Sequence, residues 1–530
     1  MSPSTHYDVI LIGGGHNGLV AAAYLAKAGR KVLLLEARSH LGGLAGTEEL
    51  FPGFHAPVGH ADAGLFSPQV IKDLRLESHG LAFHDVPAAV FAPQPDGRAL
   101  TLWRDPARAK AEIARFSARD AERYPEYLRV TARLAAVLAA TAAEIPPNII
   151  SPSLNDLFPW ARVALKARRL GRADMMDFLR LLPMTAQEWL NEWFESPVVQ
   201  AALGAHSVTG SMLGPQSSGS AYMLLYQQMG VPNAGYRSAR FARGGVGAVI
   251  AALTRAAESH GVEILTDTPV ARVLLENGRA VGVELADGDL LRAPVIVSNL
   301  DPRRTLFGLV GPQQLNPRLM RRVRNIRFKG STSRLTLALS GLPKFKGAPD
   351  GHDHLTGYTL ICPSLDYLEK AYDDAKYGRI SANPALELHF PSLHDAALAP
   401  AGQHLVSITI QFTPYDLKGA SWAKEGKRLT DLVIKTLDAY APGFKSLVKH
   451  NHLRTPASLE SDFAATEGGI MHGQMALDQW LIGRPVAGFA RYATEIPGLF
   501  LCGAGTHPGG GLTGLPGRNA ARAILKNRRS

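Results

Sequence analysis

The alternation of apolar and polar stretches is clearest near the N-terminus. An apolar run that ends at Ile12 has the length of a buried parallel strand, and a second such run covers 32–35. Between them, the stretch from Leu19 to Ala28 contains no Gly or Pro and predicts a helix that ends at Gly29. The chain therefore begins with a predicted strand–helix–strand unit.

The predicted turn between the first strand and the helix carries three glycines. Gly13, Gly15 and Gly18 form G-x-G-x-x-G, in which the first glycine allows a sharp turn, the second admits a pyrophosphate and the third allows close packing. The helix N-terminus offers N–H groups to phosphates. Glu36, eighteen positions after Gly18, is placed to accept hydrogen bonds from a ribose hydroxyl. This combination predicts a dinucleotide site without distinguishing NAD(P) from FAD.

The residues that follow Glu36 favour a flavin. The stretch from Arg38 to Gly43 resembles the flavin-binding fold shared by amine oxidases and phytoene desaturases. In that family a basic residue and a Gly-Gly pair lie along the FAD phosphates and the flavin, and Arg38, Gly42 and Gly43 match them. The resemblance implies an α/β fold with a Rossmann-like FAD-binding domain (GR2-type) and an interleaved α+β substrate domain.

A second stretch near the C-terminus carries the same resemblance. The sequence from Gly503 to Gly509 is very similar to the phytoene desaturase signature, and a helix is predicted over 518–526. In flavoenzymes of this type the N-terminus of that helix lies under the flavin N1 and C2 carbonyl, where charge accumulates on reduction. The stretch 16–25, and His472-Gly473 with Asp478-Gln479, are similar to the branch called pyridine nucleotide-disulphide oxidoreductase domain-containing protein two. The chain nevertheless has no C-x-x-C pair, so dithiol chemistry is not expected.

The motifs and the resemblance together assign the binding residues of a non-covalent FAD. They are Gly13, Gly15, His16, Asn17, Gly18, Glu36, Ala37, Arg38, Gly42, Gly43, Leu44, Val270, Gly503, Ala504, Leu512 and Thr513. In the family the strand near Val270 passes the adenine, and the strand ending at Asn299 re-enters the main sheet. His60, His472 and His507 are candidates for proton handling, although each is also compatible with a packed or turn histidine. No metal site is expected.

The succession of patterns predicts that the chain leaves the nucleotide-binding fold and returns to it later, so that this domain is built from separate segments. We predict FAD-binding segments at 1–104, 241–305 and 485–530, a helical part of the substrate domain at 105–240, and a sheet-plus-helix part at 306–484. Asp105 with Pro106 is typical of a helix start. Turns at Asn277-Gly278 and Asp287-Gly288 predict hairpins, and the short β-like runs over 81–103 predict a small antiparallel sheet.

Composition narrows the class of protein and its surroundings. The chain has 530 residues, of which 46% are hydrophobic and 19% charged, as expected for a globular protein with a large core. Its net charge of +11 suits anionic lipid, anionic substrate or nucleic acid, but the basic cluster from Arg318 to Lys329 lacks aromatic interleaving, so nucleic acid is not expected. Cys362 and Cys502 cannot form a disulfide framework or a metal cluster. With no secretory signal and no membrane-spanning segment in the sequence, we expect a cytoplasmic protein.

A basic stretch in the helical region leaves two interpretations open. Cations from Arg162 to Arg172 precede a stripe formed by Met175, Phe178, Leu179 and Leu182. This arrangement suits a helix that lies on an anionic membrane surface, and equally a solvated charged face above a core stripe. The resembling desaturases meet lipophilic substrates at membranes, so peripheral membrane contact is kept as a hypothesis.

The predicted function is that of an FAD-dependent dehydrogenase or desaturase. It would remove a hydride from a CH–CH unit of a lipophilic, isoprenoid or lipid-like substrate and pass electrons to oxygen or a quinone. The sequence leaves open a flavin amine oxidase, a redox-dependent polyene isomerase or saturase, and a non-catalytic, membrane-associated protein that keeps the flavin fold. Oligomers are compatible with the sequence.

Overall fold

The computed structural model describes residues 6–148, 154–230 and 239–527. In chain order the strands are β1 (Val9–Ile12), β2 (Val32–Leu35), β3 (Thr47–Phe51), β4 (Phe54–Pro57), β5 (Phe83–His84), β6 (Ala88–Pro93), β7 (Ala99–Trp103), β8 (Phe241–Ala242), β9 (Glu263–Leu265), β10 (Val270–Glu276), β11 (Arg279–Leu285), β12 (Leu290–Arg292), β13 (Val295–Ser298), β14 (Thr332–Leu339), β15 (Tyr358–Ile361), β16 (Leu386–His389), β17 (His404–Gln411), β18 (Val448–Arg454) and β19 (Leu499–Leu501).

The α-helices follow the same chain order. They are α1 (His16–Lys27), α2 (Pro68–Asp73), α3 (Pro106–Ala114), α4 (Ala118–Ala142), α5 (Leu154–Arg168), α6 (Arg172–Leu181), α7 (Ala186–Trp193), α8 (Pro197–Gly204), α9 (Ser220–Tyr226), α10 (Gly247–Ser259), α11 (Pro317–Arg324), α12 (Leu365–Lys376), α13 (Trp422–Tyr440), α14 (Phe444–Leu447), α15 (Pro456–Phe463) and α16 (Leu515–Asn527).

A five-stranded sheet in the order β19-β13-β1-β2-β9 brings the two ends of the chain together. All of its pairs are parallel, and Val9 of β1 lies between Val32 and Val295. Every residue of β1 and β2 is buried, as required of parallel strands covered on both faces. Helices α1, α10 and α16 share one apolar core with one face of this sheet. The predicted α/β fold with a Rossmann-like sheet is confirmed.

The other face of this sheet is covered by a three-stranded antiparallel sheet, β10-β11-β12. The predicted hairpin at Asn277-Gly278 is confirmed, because Glu276 pairs with Arg279 and both turn residues have positive φ. Helix α1 begins at His16 and not at the predicted Leu19, since the glycine turn already ends at Gly15.

A second large sheet has seven strands in the order β18-β14-β17-β16-β15-β6-β7. Strands β6 and β7 pair with each other as predicted, but they join this larger sheet through a parallel pairing of β6 with β15. The expectation of a separate small sheet over 81–103 is therefore wrong, because β6 pairs with a strand more than 250 residues further along the chain and β5 pairs with β8. The predicted domain boundaries themselves remain predictions.

The predicted helical segment packs as one cluster against β6 and β7. The Asp105 carboxylate accepts the N–H of Arg108 at 2.7 Å, which confirms the predicted helix start at Pro106. The end of α4 contacts α16, which packs on the nucleotide sheet, since the Asn519 side chain of α16 donates to the carbonyl of Ala142 at 3.0 Å. Across residues 6–148, 154–230 and 239–527, no helix is both long and apolar enough to cross a bilayer.

Candidate cofactor site

The glycine turn joins β1 to α1 with little room for side chains. Gly13 has φ of 95°, and Gly15 occupies the N-cap of α1 without any side-chain cap. A Cβ on Gly15 would lie 2.9 Å from Nδ2 of Asn299, and a Cβ on Gly18 would lie 2.2 Å from the carbonyl oxygen of Gly13. The absence of side chains therefore lets a ligand approach the backbone of the turn, and Gly18 allows α1 to pack closely against β1.

Glu36 is fixed at the end of β2 by backbone donors. Its Oε2 accepts the N–H of Gly14 at 2.7 Å, and its Oε1 accepts the N–H of Arg38 at 2.9 Å. A carboxylate has about four lone-pair sites, so each oxygen can accept a further hydrogen bond. Because Glu36 also lines the cavity described next, its carboxylate can accept from a ligand hydroxyl.

A cavity of about 410 Å³ opens beside the glycine turn. Its volume lies within the range of small-molecule sites. The sequence-predicted residues in its wall are Gly13, Gly15, His16, Asn17, Glu36, Ala37, Arg38, Gly42, Gly43, Leu44, His60, Val270, His472 and Ala504. Ala504 and Gly511 from the C-terminal loop face the same space as the N-terminal turn. The structure thus brings the two distant motifs into one site.

Five predicted residues do not line this cavity. Gly18 packs against the turn, and Gly503 lies against the backbone of Asn299, whose carbonyl oxygen would be 2.5 Å from a Cβ. Leu512 lines an adjoining cavity, and the Thr513 hydroxyl accepts the N–H of Leu515 at 3.2 Å, at the start of α16. The Nε2 of His507 donates to the carbonyl of Thr141 at 3.1 Å, so this ring packs against the end of α4.

Three histidines surround the cavity. The rings of His16 and His60 meet edge to face with centroids 6.3 Å apart. Burial, and to a smaller extent electrostatic repulsion from His60 and His472, lowers the pKa of His16 to about 3. Burial also lowers the pKa of His472, whose backbone has an unusual φ of 51°. Both His16 and His472 are therefore neutral at pH 7.

Several residues in the wall were missed by sequence reasoning. Thr268 and Pro269 precede the predicted Val270, while the end of α15 contributes the stretch 461–464. The Arg38 guanidinium lies over the ring of Phe463 at 4.3 Å and pairs with Glu48 at 2.6 Å. Glu48 also pairs with Arg454, which is only 5% exposed. Nothing local in the stretch 461–464 predicts this position, because tertiary packing alone brings α15 to the cavity.

A buried arginine also holds the far wall together. The Arg484 guanidinium donates to the carbonyls of Met471 at 2.6 Å and Ala504 at 2.7 Å, and to those of Gly473, Gln474 and Gln479 at 3.3 Å. Burial lowers its pKa to about 10, so it stays charged at neutral pH. Arg484 therefore fixes the loop that carries His472 against the loop that carries Ala504.

Two smaller cavities continue inward from the cofactor-sized one. A cavity of about 70 Å³ shares His60, Ile470 and Gly511 with it, and Arg334 and Thr409 are also in its wall. A third cavity of about 20 Å³ shares Thr209 and Thr409 with the second. These spaces lie between the helical cluster and the seven-stranded sheet.

Comparison with known proteins places this architecture in a family. The family model described as flavin containing amine oxidoreductase matches residues 18–335, which is more than half of the chain. The chain belongs to this family. Membership makes it an oxidoreductase of the flavin-containing type, as the sequence motifs predict.

Individual members of the wider group resemble the chain along nearly its whole length. Pyridine nucleotide-disulfide oxidoreductase domain-containing protein 2 of Rattus norvegicus is 35% identical over 543 residues, which cover 98% of this chain and 94% of that protein. Phytoene desaturase (lycopene-forming) of Pantoea ananas is 25% identical, with 99% of both chains covered. The family resemblance predicted from the sequence is confirmed.

A solved structure extends the comparison to the fold. A putrescine oxidase variant has a TM-score of 0.60 at 14% identity, with 99% of each chain covered. At this identity the likeness concerns the fold alone, and function is carried by the site.

Proposed function

We propose that this family member binds FAD non-covalently and oxidises a CH–CH unit of a lipophilic substrate. The observation that carries the proposal is the shared cavity, in which the glycine turn, Glu36 and the loop with Ala504 and Gly511 face one another. This is the arrangement needed to hold a long molecule by its phosphates at one end and by a ring at the other.

The residues of the cavity fit FAD by their own chemistry. Gly15 leaves space where a Cβ would collide with Asn299. The buried Oδ1 of Asn17 and Nε2 of His16 have no hydrogen-bond partner within the described ranges, and buried polar atoms of this kind usually find one. The turn and the N-terminus of α1 would hold the pyrophosphate and Glu36 the ribose.

The chain's own residues have three tasks in such a reaction. Bound FAD supplies the hydride acceptor, and oxygen or a quinone is the proposed final acceptor of the electrons. The inner cavity would position the substrate carbon and exclude water. The neutral ring of His472 at the cavity wall can accept the proton that leaves the neighbouring carbon, whereas the pKa of about 3 makes His16 a poor base. The relationship to phytoene desaturase supports a lipophilic substrate.

Anaerobic titration of the FAD-loaded protein tests this proposal. Isoprenoid or lipid-like compounds with a saturated CH–CH unit are expected to bleach the flavin absorbance, and mass spectrometry should show a product lighter by two hydrogens. Hydrogen peroxide formed only with amines would identify an amine oxidase. Conversion only after prior reduction of the flavin would identify an isomerase or saturase. No bound flavin at all would leave a non-catalytic protein.

We further propose that α5 and α6 rest on an anionic membrane surface. Leu154, Phe158 and Leu165 of α5 are 85%, 62% and 49% exposed, and Met176 and Leu179 of α6 are 56% and 55% exposed. Exposed cations follow on the same helix pair, including Lys166 and Arg168 in the last turn of α5. Exposed apolar side chains beside cations are the combination that interfacial helices use.

Vesicle flotation tests the membrane surface directly. The protein is expected to float with vesicles that contain phosphatidylglycerol and much less with pure phosphatidylcholine. A double variant, Leu154→Ser with Phe158→Ser, should lose flotation, whereas Leu290→Ser, which alters a 55% exposed leucine on β12, should not. Absence of flotation with either vesicle would remove the proposal.

A further inference from the structure

The C-terminal end of α15 lines the cofactor cavity, although this helix belongs to the second large sheet. The stretch 461–464 forms part of the cavity wall. The helix follows directly after β18, the edge strand of the seven-stranded sheet. Its start is fixed by a capping box, in which the Thr455 hydroxyl accepts the N–H of Ser458 at 3.2 Å and the Ser458 hydroxyl accepts the N–H of Thr455 at 2.8 Å. The orientation of α15 is therefore set by β18.

Phe463 connects the end of α15 to the nucleotide-binding sheet. The guanidinium groups of Arg38 and Arg454 lie 4.3 Å and 5.5 Å from the centre of its ring, a position in which cations are attracted to an aromatic face. Glu48 pairs with both arginines, at 2.6 Å and 2.5 Å. Arg38 lies two residues after Glu36, and Arg454 is the last residue of β18. This cluster thus joins the turn after β2 to the strand that carries α15.

The cluster has no surplus positive charge for a phosphate. The carboxylates of Glu48 and Asp462 both act electrostatically on Arg454, so two acids balance the two arginines. Asp462 is exposed and lines the cavity. A helix C-terminus adds a partial negative charge and carbonyl acceptors. The end of α15 would therefore repel a pyrophosphate.

The same groups suit the adenosine half of a dinucleotide. Carboxylate and carbonyl oxygens accept hydrogen bonds, and adenosine offers an amino group and ribose hydroxyls as donors. Thr268 and Pro269 line the same cavity beside Val270, whose strand passes the adenine in the resembling family. The pyrophosphate is left to the glycine turn and the N-terminus of α1, where the partial charge is positive.

We propose that residues 461–464 bind the adenosine half of the cofactor and that Phe463 holds them in place through Arg38. The inference rests on the proposed binding of FAD and extends its site to the seven-stranded sheet, which otherwise lines the two inner cavities. Because the cofactor then contacts elements of both sheets, its binding stabilises the position of α15 against the turn after β2.

Backbone amide hydrogen exchange tests the contact in the unmodified protein. FAD and ADP are added to the apoprotein at about ten times the concentration that half-protects the glycine turn, 13–18. Exchange over 457–465 should then slow about tenfold with either ligand, because opening of α15 competes with binding. ADP contains the adenosine and the pyrophosphate but no flavin. Protection of 13–18 by ADP without protection of 457–465 would overturn the proposal.

Variants of Phe463 test the anchor. Phe463→Leu removes the aromatic face, so affinity for FAD and for ADP should fall by the same factor of about three to ten. Phe463→Tyr keeps the face and should bind both ligands like the unmodified protein. Phe116→Leu is the matched control, because the Arg98 guanidinium lies 4.9 Å from the half-buried Phe116 ring and this phenylalanine lines none of the three cavities. Unchanged affinities of Phe463→Leu would refute the role of Phe463.

The exchange experiment also separates this inference from the proposed function. Protection of 13–18 by FAD with unchanged exchange over 457–465 leaves FAD binding in place and refutes the contact with α15. If FAD protects neither stretch, both proposals fail. A Phe463→Leu protein that did not fold would leave the decision to the exchange experiment, which needs no variant.

Discussion

The close packing of α1 on β1 makes Gly18→Ala the most informative single change. The new methyl group would lie 2.2 Å from the carbonyl oxygen of Gly13, 3.1 Å from Nδ2 of Asn299 and 3.1 Å from a methyl group of Leu11. Alanine is ordinarily better than glycine in a helix by about 1 kcal/mol. Propensity alone therefore predicts a more stable protein, whereas the packing predicts the opposite.

The packing effect should dominate. Relief of the collision requires the N-terminus of α1 to move by about 1 Å, since Cβ atoms in proteins essentially never approach a neighbour within 3.0 Å. Overpacking of this kind costs about 1–3 kcal/mol. The shift also moves the N–H groups that would hold the pyrophosphate, so we expect FAD affinity to fall about tenfold to hundredfold.

Fluorescence titration of the apoprotein with FAD measures this loss. Gly308→Ala is the matched control, because Gly308 is exposed, has no positive φ and has nothing within 4 Å of an added Cβ. That variant should bind FAD like the unmodified protein. Unchanged FAD affinity of the Gly18→Ala protein would refute the proposal that close packing of α1 on β1 positions the N–H groups that bind the pyrophosphate.

Three further predictions concern Glu36, Arg484 and His507. Glu36→Gln should weaken FAD binding about tenfold in the same titration, because the new amide N–H₂ would face a backbone N–H whose hydrogen bond the carboxylate now accepts. Glu49→Gln, at an exposed position of β3, should leave FAD binding unchanged. Equal effects of the two substitutions would contradict the role of Glu36. Arg484→Met should speed backbone amide hydrogen exchange over 471–484, since five carbonyl acceptors lose their donor. Unchanged exchange would show that this loop keeps its structure without Arg484. Burial lowers the pKa of His507 to about 4, so the unfolded chain binds more protons between about pH 6.5 and pH 4 and stability falls as pH drops through that window. His507→Gln should lose less unfolding free energy between pH 7 and pH 5 in denaturant melts, and an unchanged pH dependence would contradict the buried neutral ring.

The glycine turn and Glu36 could be predicted because their information is local. The strand, the turn, the helix and the acid follow one another within thirty residues, and each residue type has a steric or hydrogen-bonding reason for its position. The C-terminal loop could be predicted from its family resemblance. Both stretches line the same cavity.

The remaining wall could not be predicted for a physical reason. Phe463 and Arg334 line the cavities because α15 and β14 pack beside them. Neither stretch has a local sequence pattern from which its tertiary neighbours could be predicted. His507 shows the converse limit. It belongs to a strongly recognisable motif, yet its ring turns toward α4 because the carbonyl of Thr141 accepts its N–H. A motif places a loop, but the direction of each side chain depends on the partners that packing provides.

The most direct test of a non-covalent FAD held between the two ends of the chain is the release of cofactor from the purified protein. The protein is loaded with FAD, freed of excess by gel filtration, and precipitated with acid. The structure predicts that intact FAD appears in the supernatant at one molecule per chain, identified by its mass, and that Gly18→Ala retains much less. A protein that retains no flavin after loading, or a flavin that stays with the precipitate, would contradict this account.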